Sequence, residues 1–203
     1  MAKKPLNDLI SEQGSGLIGQ IDHINYVVQE MNAQAFIDTW NKLGFHESAR
    51  NESQKYNVTH VALTSGSDGM LPWGAMTGMT YSSDPASPAL EFVKRHGPGV
   101  QYFAYSVVAD ADMDELYEAM KAWGWSLMGP VLSYTSEKGG PRLRLIAVAP
   151  SVAWGPFVIF IQRLSDENGT PYADYDTLLW DTLYDYYSEI SNELAEDEDD
   201  EDQ

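Results

Sequence analysis

The feature that most constrains the fold of this 203-residue chain is an order of secondary-structure elements that occurs twice. Residues 21–28 alternate between apolar and polar side chains, which is typical of a strand with one packed face. A helix and three further strand candidates follow, and the same strand–helix–strand–strand–strand order restarts at Gly99. His23 and Tyr102 occupy equivalent positions of the two first strands, 79 residues apart. Such a repeat predicts two similar βαβββ modules that share one sheet.

The element order divides the chain into five segments. We predict an N-terminal arm at residues 1–19, a first βαβββ module at 20–97 and a second module at 98–165. A helix with an aromatic stripe at 166–195 and an acidic disordered tail at 196–203 complete the chain. The expected fold class is α+β, in which the paired modules form a cupped mixed sheet and the C-terminal helix packs near its opening.

Capping residues indicate where the module helices begin. Asn32 and Asp112 are the predicted N-caps, and Gly44 and Gly124 mark the helix ends. The segment 69–83, rich in Gly, Met and Thr, is ambiguous between an irregular fourth strand of the first module and a loop.

Charge and cysteine content exclude several classes of function. The chain has 12 Lys and Arg against 31 Asp and Glu, a formal charge of −19, which repels a phosphate backbone, so we expect no nucleic-acid partner. It has no run of about 18 apolar residues, so we expect no membrane-spanning helix. The absence of cysteine excludes disulfides and thiolate chemistry and makes the cytoplasm the expected location.

Three segments combine a first-strand histidine, a glycine turn and a strand that ends in Ile-Gln-Arg. They lie at residues 21–28, 90–104 and 157–163. Together they resemble the vicinal oxygen chelate (glyoxalase/dioxygenase) superfamily, and within it the catalytic, C-terminal half of the 4-hydroxyphenylpyruvate dioxygenase family. The resemblance covers about residues 20–194 and implies the paired-module fold.

The resemblance also implies an iron site of two histidines and one glutamate, of which this chain keeps one ligand. His23 matches the first histidine, Tyr102 stands where the second is expected, and Ile159 stands at the glutamate position. Neutral tyrosine and isoleucine do not complete a facial triad for ferrous iron. We therefore expect a degenerate metal site, with His23 as the one candidate ligand and no cofactor, and whether the chain is an enzyme stays open.

Further candidate site residues are those predicted to face the cleft between the modules. Besides His23, Tyr102 and Ile159, the predicted ligand-binding set contains Asn25, His60, Thr64, Ser106 and Arg144. Arg144 is a candidate clamp for a carboxylate, with a surface ion pair as the alternative. The expected function is binding of a small aromatic or keto acid without iron-dependent oxygenation.

Two other functions stay open at this point. A rebuilt metal centre at His23, His60 and Tyr102, holding iron or another divalent cation, would make the chain a metal-dependent oxygenase or isomerase. If the cleft is collapsed, the chain is instead an interaction protein that assembles through its C-terminal helix and acidic tail. That helix is a candidate lid or dimer contact, so a homodimer is one expected assembly.

Overall fold

The computed structural model describes residues 17–65, 76–135, 141–164 and 177–201. In these segments the chain forms one sheet of eight strands and four helices. The strands are β1 (Ile18–Val27), β2 (His46–Ser53), β3 (Val58–Thr64), β4 (Met76–Ser82), β5 (Gly99–Val107), β6 (Leu132–Thr135), β7 (Pro141–Val148) and β8 (Phe157–Arg163). The helices are α1 (Glu30–Lys42), α2 (Pro88–His96), α3 (Met113–Ala122) and α4 (Thr177–Glu201).

The strand order confirms the predicted duplication. The sheet runs β2-β3-β4-β1-β5-β8-β7-β6, so each half places its first strand beside its fourth. These two pairs, β1 with β4 and β5 with β8, are parallel. Strands β1 and β5 pair antiparallel at the centre and join the halves. The fold is therefore the predicted α+β class with paired βαβββ units in a curved mixed sheet.

Two helices cover the convex face of this sheet. Helix α1 packs on the first half through Ala33 and Ile37, and α3 packs on the second half through Leu116 and Met120. Because side chains alternate along a strand, the residues between those that face these helices point to the concave side. The candidate functional site lies on that side.

Helix α4 lies against the concave face and contacts both edge strands, β2 and β6. Its Leu183 and Tyr187 are buried in one apolar cluster with Phe157 and Ile159 of β8. The second half of the sheet is thus covered on both faces.

Although α4 has 25 residues, none of the helices in the described segments has the apolar length that a membrane span requires.

The acidic segment that we predicted to be a disordered tail instead continues α4 as far as Glu201. A carboxylate oxygen of Glu198 accepts a hydrogen bond of 3.2 Å from the backbone N–H of Ala153, and the other lies 3.4 Å from Arg95. These contacts hold the acidic turns against the domain, so the predicted helix end at residue 195 was wrong. Residues 202–203 lie outside the described residues.

The N-terminal boundary also differs from the prediction. Residues 1–16 of the predicted arm lie outside the described residues, whereas Leu17 is buried in the cluster beneath α3 and β1 already begins at Ile18. The ambiguous segment contains a regular strand, β4, from Met76 to Ser82, and its residues 69–75 lie outside the described residues.

One of the two predicted caps is correct. Asp112 caps α3, and its Oδ1 accepts hydrogen bonds from the backbone N–H groups of Asp114 at 3.0 Å and Glu115 at 3.3 Å. Asn32 is not a cap, because α1 begins at Glu30 and Gln29 occupies the N-cap position without a side-chain hydrogen bond.

Replacing Asp112 by alanine is expected to lower the free energy of unfolding by about 1 kcal/mol, because two backbone N–H groups lose their acceptor. Urea unfolding at pH 7 measures this loss. Gln29→Ala is the matched control, since the side chain at that cap makes no hydrogen bond, and we expect it to change stability by less than about 0.5 kcal/mol. Equal losses in the two variants would contradict the assignment.

Candidate functional site

A narrow cleft opens on the concave face of the first half of the sheet. Its empty space, open solvent included, is about 330 Å³, and the centre of a water molecule fits in about 20 Å³ of it. The covered part of the cleft therefore holds one or two waters, and the rest of its space is open to solvent, where a larger molecule would lie partly exposed. The small residues Ala49, Ala62 and Gly78, on adjacent strands in register, leave this space open, and Trp180 of α4 forms one wall.

His23 belongs to a row of buried polar side chains at one side of the cleft. Its Nδ1 lies 2.7 Å from Oδ1 of Asp22, and its Nε2 lies 3.3 Å from the Tyr102 hydroxyl. Arg163 of β8 donates two hydrogen bonds to the Asp22 carboxylate, of 2.8 and 2.9 Å. The pairing of β1 with β5 shifts register between Ile21 and His23, an irregularity of the kind that re-aims side chains.

The charges of this row are set by burial and by neighbours. Burial works to raise the pKa of Asp22, but the Arg163 guanidinium and the hydrogen bonds from His23 and Arg163 hold it well below its usual range, so the carboxyl is ionised. Burial lowers the pKa of His23, against the opposing effect of Asp22, so the imidazole is neutral at pH 7. The hydrogen-bond partners then place the imidazole proton on Nδ1.

His60 is the second buried imidazole of the cleft. Its Nδ1 lies 2.9 Å from Oγ1 of Thr80, and its ring stacks on Trp180 at 5.1 Å and on Tyr184 at 5.6 Å between centroids. Burial lowers the pKa of His60 to about 3, so this imidazole is also neutral at pH 7. In the described part of the chain, its buried Nε2 has no hydrogen-bond partner.

The cleft brings together four of the predicted site residues: His23, Asn25, His60 and Tyr102. Ile159 lies one strand beyond β5, opposite Ala104, and is buried in the cluster with α4 rather than lining the cleft. Thr64 is buried and also does not line the cleft.

Arg144 and Ser106 do not belong to the cleft. Leu143 and Leu145 of β7 pack in the concave cluster, so the alternation of the strand turns Arg144 to the convex face. There it pairs with both carboxylate oxygens of Asp114 on α3, at 2.8 and 2.9 Å. The expected carboxylate clamp was therefore wrong, and its ion-pair alternative is correct. The hydroxyl of Ser106 donates to the backbone carbonyl of Gln20 at 3.0 Å.

Sequence reasoning missed four residues of the site. Asp22 and Arg163 are 141 residues apart, and nothing in the sequence indicates that they meet. Thr80, which links Asn25 and His60, fell in the ambiguous segment. Trp180 was predicted as part of a buried stripe, and it is buried, but it also forms a wall of the cleft.

The duplicated βαβββ sheet, with a histidine on its central strand, defines a protein of the vicinal oxygen chelate type. The family model of the Glyoxalase/Bleomycin resistance protein/Dioxygenase superfamily matches residues 22–140. The chain belongs to this superfamily, which confirms the membership predicted from three sequence segments. No curated protein matches the chain.

Solved structures share the fold at low sequence identity. A methylmalonyl-CoA epimerase variant from Streptomyces coelicolor, in complex with 2-nitronate-propionyl-CoA, is 17% identical with a TM-score of 0.53 and covers 72% of this chain and 98% of its own. The epimerase from Mycobacterium tuberculosis is 18% identical with a TM-score of 0.54, covering 73% and 91%. A 4-hydroxymandelate synthase mutant from Streptomyces coelicolor is 15% identical with a TM-score of 0.68, covering 85% of this chain and 55% of its own. At these identities the likeness lies in the fold alone.

The donors of this chain do not fit the iron site that the family resemblance implies. The Nε2 of His23 faces the Tyr102 hydroxyl, and Ile159 offers no donor atom. Trp180, whose N–H can only donate, stacks on both Tyr102 and His60. Among the residues that the structure describes, no group of three or more His, Asp or Glu is arranged to hold a metal ion.

Proposed function

We propose that the cleft binds a small, planar, uncharged organic molecule without a metal ion. The observation that carries the proposal is the buried Nε2 of His60, a residue that lines the cleft, because no described group satisfies the hydrogen bond of this atom. Leaving such an atom unsatisfied costs about 1–3 kcal/mol. A hydrogen bond with a bound ligand would offset that cost.

The planar shape is supported by the walls of the cleft. Trp180 stacks on His60 and, at 5.6 Å between centroids, on Tyr102, so flat rings already pack here face to face. Ala49, Ala62 and Gly78 leave a narrow space beside these rings, which favours a flat molecule over a bulky one. Related folds hold small molecules too, as the epimerase complex with 2-nitronate-propionyl-CoA illustrates.

The uncharged character follows from the charges of the cleft. Burial keeps His23 and His60 neutral, and the negative charge of Asp22 is matched by Arg163. Of the described residues that line the cleft, none is cationic at neutral pH. A carboxylate ligand would lose hydration there without gaining an opposite charge. We therefore replace the aromatic or keto acid expected from the sequence by an uncharged counterpart, such as an amide, ketone or phenol.

Benzamide and benzoate, which differ mainly in charge, test this function. We expect the wild-type protein to bind benzamide at least about tenfold more tightly than benzoate, measured by titration calorimetry or ligand-observed NMR. Ala49→Leu places a larger side chain in the cleft and is expected to weaken benzamide binding by about tenfold or more.

The matched control is Ala35→Leu on the exposed side of α1, which should bind benzamide like the wild type. Tighter binding of benzoate would contradict the uncharged character. Benzamide binding that Ala49→Leu leaves unchanged would contradict the cleft as its site.

The proposal retains three expectations from the sequence: a cytoplasmic location, no nucleic-acid partner and a homodimer. Light scattering coupled to size exclusion measures the assembly, and a monomeric mass would exclude the homodimer.

A further inference from the structure

We propose that residues 5–10, near the N-terminus of this chain, dock on an apolar patch of the convex face of the sheet. This convex patch consists of Ile18 and Ile21 of β1, Tyr105 of β5, Phe160 of β8, and Trp125, which follows α3. The patch lies on the face opposite the cleft, so the inference is independent of the proposed function.

The side chains of the convex patch form one continuous surface. Ile21 is the register partner of Tyr105 across β1 and β5, and Tyr105 is the partner of Phe160 across β5 and β8. Paired residues of neighbouring strands share a face. The rings of Tyr105 and Phe160 stack with their centroids 6.1 Å apart, and the ring of Trp125 meets Phe160 edge-on at 5.9 Å. Because Phe160 is buried in the cluster beneath α3, this surface faces the convex side.

Much of the convex patch is exposed to solvent although it is apolar. Ile21 and Trp125 are each 45% exposed, Ile18 is 39% exposed, and Tyr105 is half-buried. The described part of the chain therefore leaves a large share of these side chains uncovered. Removing such surface from water stabilises a protein by about 25 cal/mol per Å². A contiguous exposed apolar patch is typical of an interaction site.

The N-terminal segment is attached to the chain beside this patch. Leu17 is buried in the cluster beneath α3, and the patch residue Ile18 follows it directly. Residues 11–16 connect the docking segment to Leu17 and include Gly14 and Gly16, which permit a sharp reversal of the chain. Six extended residues span up to about 20 Å. The patch crosses three neighbouring strands that lie about 4.8 Å apart, so the segment reaches it at a high effective concentration.

The sequence of the docking segment fits an apolar surface. Leu6, Leu9 and Ile10 have the i, i+3, i+4 spacing that is typical of one apolar face of a helical turn. Pro5 precedes them, and proline is favoured at the first position of a helix. Contact between these three side chains and the convex patch removes two apolar surfaces from water at once.

Charge favours this segment over a second copy of the chain as the occupant. The formal charge of the chain is −19, so two copies repel each other. Residues 1–16 carry none of this excess, because Lys3 and Lys4 balance Asp8 and Glu12. The segment can therefore approach the acidic domain without that repulsion.

A spin label tests the proposal, because the chain has no cysteine and Asn7→Cys supplies a single attachment point. We expect a nitroxide at this position to broaden the indole N–H signal of Trp125 in the ¹⁵N NMR spectrum of the full chain. Trp154 contacts Tyr187 of α4 on the concave side, so its indole signal is the internal reference and should be broadened much less.

The matched control is the same labelled chain with Leu6, Leu9 and Ile10 all replaced by serine, in which the Trp125 signal should recover. A Trp125 signal that the label leaves unchanged would overturn the proposal, and so would broadening that persists in the serine variant. Mixing spin-labelled chains with unlabelled ¹⁵N chains tests the other occupant. Broadening of Trp125 in that mixture would place a second copy on the patch and would also overturn the proposal.

Methyl signals keep the proposal testable if the labelled chain does not fold. The ¹³C methyl shifts of Ile18 and Ile21 are expected to differ between the wild type and the triple serine variant without a label, because the variant removes the apolar side chains that cover them. Identical methyl shifts in the two proteins would contradict docking on the patch.

Discussion

Replacing Arg163 by methionine is expected to lower the free energy of unfolding by about 3–5 kcal/mol, the usual cost of removing one partner of a buried ion pair. The two side chains are 7% and 1% exposed for Arg163 and Asp22, and their contact is bidentate. Methionine keeps much of the apolar volume but leaves the Asp22 carboxylate buried without its cation. Urea unfolding at pH 7 measures the loss.

Arg144→Met is the matched control, because Arg144 also pairs with an aspartate, through one guanidinium nitrogen that contacts both oxygens of the surface residue Asp114. Asp114 is 67% exposed, so solvent screens this pair and we expect a loss below about 1 kcal/mol. Adding Asp22→Asn to Arg163→Met removes the uncompensated charge and should restore part of the stability. Similar losses in the two single variants would show that the buried ion pair of Asp22 and Arg163 does not stabilise the fold more than a surface pair does.

Lowering the pH is expected to destabilise the protein because His60 is protonated only in the unfolded state. This effect begins well above the pH at which carboxylates are protonated. The pKa of His60 is about 3 in the folded protein and 6.5 as a free side chain, so between these values the unfolded state binds a proton that the folded state does not. The stability that depends on neutral His60 is present above pH 6.5 and is lost as the pH falls towards 3. Each pH unit in this window costs about 1.4 kcal/mol.

We therefore expect a loss of about 2 kcal/mol between pH 6 and 4.5 in the wild type, measured by urea unfolding. His60→Phe should remove the contribution of His60 to this slope, while His23, whose pKa is also lowered, keeps its own contribution. Leu183→Ala, which destabilises the same core but keeps His60, should retain the full slope. A His60→Phe variant with the wild-type slope would contradict the assignment.

The sequence predicted the fold because its signals were local. Each strand alternates over its own length, and the repeat showed that the two modules are alike, which led to the paired sheet. The end of α4 was predicted wrongly because a run of acidic residues is typical of a disordered, solvated tail. It is held instead by Arg95 and the backbone of Ala153, which lie far away in the sequence.

Site residues could be predicted from the sequence only where the alternation of side chains along a single strand determines which of them share a face. The alternation of β1 places His23 and Asn25 together, and both line the cleft. For β7, one face carries Leu143 and Leu145 and the other carries Arg144 beside Ile146; the alternation did not reveal which face is concave, and Arg144 was placed wrongly. Contacts between distant elements, such as that of Asp22 with Arg163, have no local signature.

The stretch recognised by the family model does not contain the whole sheet. It ends at residue 140, whereas β7, β8 and α4 all follow. A chain trimmed to that stretch would lack β8, so the backbone groups of β5 that pair with β8 would be exposed in the middle of the sheet. It would also lack α4, so the apolar cluster that packs against this helix would be exposed. Such a fragment is expected to aggregate, so expression boundaries for this protein should extend through the final helix.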